Sequence, residues 1–160
     1  MAAAHRNLGY VYRKQERYEA AIAAYQQALS VSPAYSPAHI GLGRVYIQQE
    51  RDEEAEQALR RGADLAETAT AYNTLGVFYE NAGRYDEAIN AYEKARALDA
   101  SALILANLGD AYRKAGRPYF AAGVYKQALR RDPAQRLALT GLERLADQGV
   151  VPDRERASET

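Results

Sequence analysis

One short motif recurs at nearly constant spacing along the chain. It has the form Leu-Gly-x-x-Tyr, and its leucines lie 34, 33 and 33 residues apart, at Leu8, Leu42, Leu75 and Leu108. Nine residues after each motif tyrosine comes an alanine, at Ala21, Ala55, Ala88 and Ala121. A fixed period of this length is typical of proteins that stack one supersecondary unit several times. The spacing therefore predicts an array of repeats.

Each repeat contains two stretches whose apolar residues follow helical periodicity. In the third repeat, Leu75 and Tyr79 fall on one side of a first helix, and Ile89 and Tyr92 fall on one side of a second. The segment 81–84 between them has the sequence Asn-Ala-Gly-Arg, which indicates a turn with glycine at a helix end. The pattern therefore predicts an all-α chain of helix hairpins.

Two proline-containing pairs, Ser36-Pro37 and Asp132-Pro133, predict helix starts. In each pair a residue type that caps helix N-termini precedes a proline, and proline is favoured at the first helical position. We therefore expect a side-chain cap at Ser36 and another at Asp132.

The recurring leucine, glycine, tyrosine and alanine positions resemble those of the tetratricopeptide repeat (TPR) family. The resemblance covers residues 2–135, with a partial unit to about residue 148. It implies a right-handed α-solenoid of four TPR helix hairpins plus a C-terminal capping helix. The expected repeats are 2–35, 36–68, 69–101 and 102–135, and the capping helix is 136–148. A single TPR domain then spans residues 2–148, and residues 149–160 are expected to form a disordered tail.

The resemblance also implies packing details. The motif glycine and the later alanine of each repeat are expected to face each other where the paired helices cross. In the capping helix, four residues are expected to face inward: Leu139, Leu142, Leu145 and Ala146.

Composition excludes several function classes. The 21 Lys and Arg residues balance the 21 Asp and Glu residues, whereas a dedicated nucleic-acid binder usually carries a basic excess. No nucleic-acid partner is therefore expected. The absence of cysteine excludes disulfides and thiolate catalysis. No apolar run approaches the ~18 residues of a membrane span, and the first six residues lack the apolar core of a secretory signal. A cytoplasmic location without membrane contact is the expectation.

No arrangement of residues indicates an enzyme. The sequence has no Ser-His-Asp pattern, no glycine-rich phosphate loop and no metal motif. His5 and His39 share one repeat position, which favours packing over metal binding. We expect no catalytic residue, no metal and no cofactor.

The TPR resemblance implies that the first helix of each hairpin lines a concave groove for a peptide segment or partner helix. The candidate groove residues are Arg6, Tyr10, Arg13, Arg44, Gln48, Asn73, Val77, Asn107, Asp110 and Arg113. Arginine suits this role because its planar fork binds carboxylates at two points, so an acidic protein or peptide partner is expected. The alternative is that these cations only favour the C-terminal ends of their own helices.

A second possible function is structural self-assembly. The exposed terminal helices would then pack against another copy, which would form a homo-oligomer, or the first helix would pack against repeats upstream of it.

Overall fold

A computed structural model describes residues 1–150, and every regular element in that span is an α-helix. The helices follow one another in pairs joined by short turns, and a last helix closes the series. Their bounds are α1 Ala2–Lys14, α2 Tyr18–Val31, α3 Ser36–Gln48, α4 Asp52–Ala66, α5 Ala69–Asn81, α6 Tyr85–Leu98, α7 Ala102–Lys114, α8 Pro118–Arg131 and α9 Arg136–Asp147.

The chain divides into two compact units, Met1–Leu75 and Gly76–Thr160. The first unit holds α1 to α4 and the first half of α5. The second holds the rest of α5 and the helices from α6 onward. Each unit has its own set of buried apolar residues.

Part of the core of the first unit lies between α2 and α3. One buried cluster joins residues of the two helices, and none of its members is more than 7% exposed: Ala21, Tyr25, Ala28, Ala38, Leu42 and Val45. The alanines let the helices approach, and the larger side chains fill the remaining space. Complete burial of a leucine or valine contributes roughly 1.5–3 kcal/mol, so this cluster is a main source of stability for the unit.

The motif glycines make room for a large side chain of the second helix. A Cβ atom at Gly109 would lie 2.6 Å from the ring of Tyr125, and one at Gly43 would lie 2.5 Å from Leu59. The other two pairs are Gly9 with Tyr25 and Gly76 with Tyr92. In all four repeats the nearest atoms belong to the residue four positions after the alanine, and at Gly43 the backbone oxygen of Ala55 also lies 3.3 Å from the built Cβ, so the expected glycine–alanine contact is found there.

The turn within each hairpin needs a residue with positive φ. Gly83 and Gly116 supply it at 72° each, which confirms the turn predicted from the glycine at position 83. In the first two hairpins the matching residues are Glu16 and Glu50, each with φ of 58°. The left-handed conformation costs a residue with a side chain roughly 1–2 kcal/mol, so these two turns are strained.

Replacing Glu50 with glycine is expected to raise the free energy of unfolding by about 0.5–1 kcal/mol. Relief of the left-handed strain outweighs the greater freedom that glycine gives the unfolded chain. Urea denaturation followed by circular dichroism measures the change. Gln57→Gly, at an exposed position inside α4, is the control and is expected to lose about 1 kcal/mol. A loss of stability in Glu50→Gly would contradict the strain.

The two predicted helix starts have different outcomes. α3 does begin at Ser36, but the hydroxyl group donates a 2.7 Å hydrogen bond to the Gly62 carbonyl oxygen instead of capping its own helix. α9 begins only after Gln135, whose side-chain oxygen accepts a 2.9 Å hydrogen bond from the N–H of Leu137. Asp132 lies in the turn before that cap, so the second predicted start is wrong.

The inward face of α9 is rotated relative to the expected one. Leu145 is buried and Leu142 is partly buried, but Leu139 is 41% exposed. Gly141 is buried because the ring of Tyr125 lies 2.3 Å from where its Cβ would be. Ala146, also expected to face inward, is exposed.

The end of α9 is closed by a glycine cap. Gly149 has a φ of 76°, and the N–H of Val150 donates a 2.9 Å hydrogen bond to the Leu145 carbonyl oxygen. Val150 is only 9% exposed. The first two residues of the expected tail thus belong to the helix end, and residues 151–160 lie outside the described part of the chain.

Candidate functional site

A cavity of about 570 Å³ lies in the first unit, beside α1 and α3. Four residues proposed from the sequence line it together: Arg6, Tyr10, Arg13 and Arg44. Tyr25 and Ile40, which also line the cavity, were not among the predicted residues. The repeat position of Tyr25 could have indicated that it packs against α1 and α3. Among the described residues, no carboxylate lines the cavity.

The three arginines of the cavity donate hydrogen bonds to uncharged groups. Arg6 donates a 2.9 Å hydrogen bond to the Asn7 side-chain oxygen, and Arg44 donates a 3.5 Å one to the Thr74 hydroxyl. Neither guanidinium forms a salt bridge within residues 1–150. The cavity therefore has an uncompensated positive charge.

Tyr25 lines the same cavity as the three arginines. Burial raises the pKa of the Tyr25 hydroxyl, and the positive charges of Arg13, Arg6 and Arg44 oppose that rise. Only charges close to the hydroxyl would affect it in this way. The cavity lining thus includes a buried phenol whose pKa is affected by three cations.

Arg13 contacts residues of two helices. Its Nη1 atom lies 3.4 Å from the Gln48 side-chain oxygen, and its guanidinium lies over the ring of Tyr10, 5.5 Å from the centroid. Its Nε atom is buried and has no hydrogen-bond partner in the part of the chain that the structure describes. A buried donor without a partner costs about 1–3 kcal/mol.

In the second unit, Arg113 and Lys114 are paired with carboxylates. Asp110 accepts a 2.9 Å hydrogen bond from Nε of Arg113 and lies 3.0 Å from the ammonium of Lys114. Lys114 also donates a 2.6 Å hydrogen bond to Glu80, which accepts one of 2.7 Å from the Tyr92 hydroxyl. Asp110 is only 7% exposed. These groups form a closed ion network.

Burial and the acidic partners shift the titration of this network. Burial and the neighbouring Glu80 carboxylate raise the pKa of the Tyr92 hydroxyl. Burial alone also raises the pKa of Asp110, but hydrogen bonds and charge from Lys114 and Arg113 outweigh it and leave that pKa below its usual value. The carboxylate is therefore held ionised by its two cations.

Two family models match the chain over most of its length. One tetratricopeptide repeat model matches residues 12–75, and a second matches residues 67–134. The chain belongs to the tetratricopeptide repeat family. Proteins built from TPR motifs are in general scaffolds for protein–protein interaction and not enzymes. No curated protein sequence matches this TPR chain.

Solved structures agree with that assignment. The crystal structure of MamA is similar to this TPR chain with a TM-score of 0.79 and 23% identity, covering 99% of this chain and 86% of that one. The Pseudomonas aeruginosa pilF structure gives 0.79 and 24%, with coverages of 96% and 72%. The thermophilic TPR protein TTC0263 of Thermus thermophilus gives 0.71 and 21%, with coverages of 91% and 82%. These identities show the fold alone, and the predicted all-α TPR fold class is confirmed.

The remaining candidate residues of the TPR chain are not brought to the arginine cavity. Gln48 contacts Arg13 from outside the lining, and Asn73 is partly buried in the first unit. Val77 is 38% exposed, and Asn107 is partly buried in the second unit. Asp110 and Arg113, the last of the candidates, are held by each other in the ion network described above.

Residues 1–150 also bear on membrane insertion and metal binding. None of the helices there combines the length and apolar character that a bilayer crossing requires. Within the same residues, no group of three His, Cys, Asp or Glu side chains is placed to hold a metal ion.

Proposed function

We propose that this TPR chain is a protein-interaction scaffold whose first unit binds an acidic segment of a partner in the arginine cavity. The observation that carries the proposal is that Arg6, Arg13 and Arg44 line one cavity and that no carboxylate among the described residues lines it with them. The fold supports a protein partner in general, and the charge of the cavity supports its acidic character.

Comparison with the second unit supports a carboxylate ligand for Arg13. Arg13 and Arg113 occupy the same repeat position, 100 residues apart in three periods. Nε of Arg113 is satisfied by Asp110, three residues before it on the same helix. The residue three before Arg13 is Tyr10, which offers no negative charge. A carboxylate supplied by a partner would take the place that Asp110 fills in the second unit.

The cavity also has the shape and chemistry for a peptide side chain. Its volume of about 570 Å³ lies within the range of known ligand sites, roughly 300–1,000 Å³. Ile40 and the ring of Tyr10, which is 47% exposed, offer apolar walls beside the guanidinium groups. We therefore expect a Glu or Asp side chain, or a chain-terminal carboxylate, to enter with its apolar part against Ile40.

A labelled eight-residue peptide of alternating Glu and Ala is the probe for this site. Arg13→Gln and Arg44→Gln are each expected to weaken its binding about tenfold, since each removes a charge-assisted hydrogen bond worth about 1.5–3 kcal/mol. Fluorescence anisotropy at 50 and 200 mM salt gives the affinities.

The control separates the cavity from net charge. Arg130→Gln with Arg131→Gln removes two exposed cations at the end of α8, away from the cavity lining. That double variant is expected to bind the probe as the wild type does, apart from a small non-specific loss. An equal loss of affinity in the control and the cavity variants would mean that the peptide responds only to the overall charge of the protein.

Self-assembly through terminal helices is a second candidate. Apolar exposure supports it: Leu8 and Val11 on α1 are 42% and 45% exposed, and Leu139 on α9 is 41% exposed. Light scattering across a dilution series tests it, and a mass that stays monomeric at all concentrations would reject it. The cytoplasmic location stays a prediction from the sequence.

A further inference from the structure

The three arginines of the cavity belong to helices that contain no acidic residue. Arg6 and Arg13 lie on α1, Arg44 lies on α3, and neither helix contains an Asp or a Glu. The three side chains line one cavity together. Their side-chain hydrogen bonds go to uncharged amide and hydroxyl oxygens. The positive charge of three guanidinium groups is therefore built into the first helices of two hairpins.

Tyr10 lies between the two arginines of α1. It follows Arg6 by four residues and precedes Arg13 by three, so the three side chains share one face of the helix. Side chains of a helix lean toward its N-terminus, and the guanidinium of Arg13 lies over the Tyr10 ring, 5.5 Å from the centroid. The ammonium of Lys14 lies 5.9 Å from the same centroid. Positive charge is thus held along this face of α1.

Two helices also begin at the cavity. Ser36 and Pro37, which line it, are the first two residues of α3, and the lining residue Thr68 directly precedes α5. The N-terminal end of a helix carries a partial positive charge and favours an anion. The Ser36 hydroxyl already donates to the Gly62 carbonyl oxygen, so the helix starts add charge more than donors. The guanidinium groups are therefore the principal donors for a ligand.

A single carboxylate would neutralise only part of this charge. In the second unit, the cations Arg113 and Lys114 are matched by the two carboxylates of Asp110 and Glu80. One carboxylate would bring a single negative charge and two acceptor oxygens to the three guanidinium groups of the cavity. A phosphate monoester brings a charge of about −1.5 to −2 and three acceptor oxygens at pH 7, and an arginine fork binds two of those oxygens at once. Phosphate is therefore the closer match.

We infer that the arginine cavity receives a phosphorylated side chain of the partner protein and prefers phosphate to carboxylate. The inference rests on the proposed function, which it narrows from an acidic segment to one that contains a phosphoserine or phosphothreonine. Arg6, Arg13 and Arg44 bind the phosphate oxygens, and Ile40 and the ring of Tyr10 contact the carbon atoms of the segment. Clustered arginines are a general means of recognising phosphorylated segments.

A nucleic acid also offers phosphate groups, but it suits this protein less well. Binding to a nucleic-acid backbone depends on contacts with several phosphates and usually on a basic excess, whereas the 21 basic residues here are balanced by 21 acidic ones. The arginines line a cavity of about 570 Å³, which has the size of a ligand pocket and not of a groove that follows a strand. A protein partner also agrees with the TPR fold.

Three versions of one labelled peptide test the preference. The peptide of alternating Glu and Ala is compared with peptides in which one central Glu is replaced by phosphoserine or by serine. By fluorescence anisotropy, the phosphoserine peptide should bind about tenfold more tightly than the Glu peptide, and the serine peptide more weakly than either. In Arg6→Gln the preference for phosphoserine over Glu should fall to about twofold, because one of the three cations is lost. The double variant Arg130→Gln with Arg131→Gln should keep the full preference.

The outcomes separate this inference from the proposed function. If the Glu peptide binds and depends on Arg13 and Arg44, but phosphoserine binds no better than Glu, the inference is wrong and the proposed function stands. A preference for phosphoserine that is unchanged in Arg6→Gln would place the phosphate outside the cavity and would also overturn the inference. If none of the three peptides binds, both proposals are wrong. Circular dichroism checks that each variant keeps its helix content.

Two competitors identify the source of the phosphate. Inorganic phosphate and a single-stranded oligothymidylate should each displace the phosphoserine peptide only at concentrations at least about tenfold above the Kd of the peptide, because the peptide adds contacts beyond the phosphate. Displacement by inorganic phosphate at the Kd of the peptide would reduce the site to one for a free anion. Displacement by the oligonucleotide at that concentration would assign the cavity to nucleic acid. Either result would contradict a phosphorylated protein partner.

Discussion

Replacing Gly41 with alanine is expected to lower the free energy of unfolding by about 2 kcal/mol, although alanine is the better helix former. A Cβ at this position would lie 2.3 Å from Cε1 and 2.4 Å from Cζ of Tyr25. The ring cannot retreat freely, because Tyr25 is 2% exposed and Gly9 lies against it as well. Overpacking costs about 1–3 kcal/mol, and a clash at the upper end outweighs the gain of about 1 kcal/mol in helix propensity.

Gly123→Ala is the matched control. Gly123 lies in α8, is exposed, and has no atom within 4 Å of a built Cβ. The same substitution is therefore expected to gain about 1 kcal/mol there, because only helix propensity changes. Urea denaturation followed by circular dichroism gives both values. If both variants gained stability, the Tyr25 ring would be free to move away from an added methyl group at position 41, which would contradict the structure.

A double variant identifies the clash. Leucine occupies the position of Tyr25 in the second repeat, at Leu59, so the fold accepts it there. In a Tyr25→Leu background, Gly41→Ala is expected to cost much less than in the wild type, since the ring atoms that it meets are gone. Additive losses in the two variants would place the cost elsewhere.

Gly41 also shows where sequence reasoning ends. The period predicts the helix hairpins from residues such as Leu42 and Leu75, because register alone decides which positions are buried. Gly41 lies outside that motif, and its counterparts in the next two repeats are Thr74 and Asn107. The need for glycine at position 41 follows from the orientation of the Tyr25 ring. A repeat pattern in the sequence does not specify the orientation of a side chain.

The candidate site, like the fold, was predictable from the sequence only in part. The repeat positions placed Arg6, Arg13 and Arg44 on neighbouring first helices, and the structure brings them to one cavity. The same positions made Arg113 equivalent to Arg13, although the two differ in their partners. An Asp-x-x-Arg spacing on a helix signals a pair, so Asp110 could have indicated that Arg113 is not available. The contribution of Glu80, 34 residues before Lys114, required coordinates.

Removing the charge of Asp110 is expected to have the other large effect. Asp110→Asn should lower the free energy of unfolding at pH 7 by about 2 kcal/mol, because Arg113 and Lys114 lose a shared, buried carboxylate. Deleting one partner of a buried ion pair costs about 3–5 kcal/mol. The loss here is smaller, because the amide oxygen still accepts a hydrogen bond and Lys114 keeps its contact with Glu80.

The pH dependence separates this charge effect from a packing effect. Since the cations hold the pKa of folded Asp110 below its usual value, the unfolded chain binds the proton first, near pH 3.9. The contribution of the ionised carboxylate is therefore complete above that pH and is lost as the pH falls through the lower folded pKa. The stability gap between wild type and Asp110→Asn should accordingly be constant from pH 5 to 7 and narrow below about pH 4. Glu143→Gln, at an exposed position of α9, should show no such gap at neutral pH. A gap that persists unchanged at pH 3 would mean that the asparagine disturbs the packing and that the ion network contributes little.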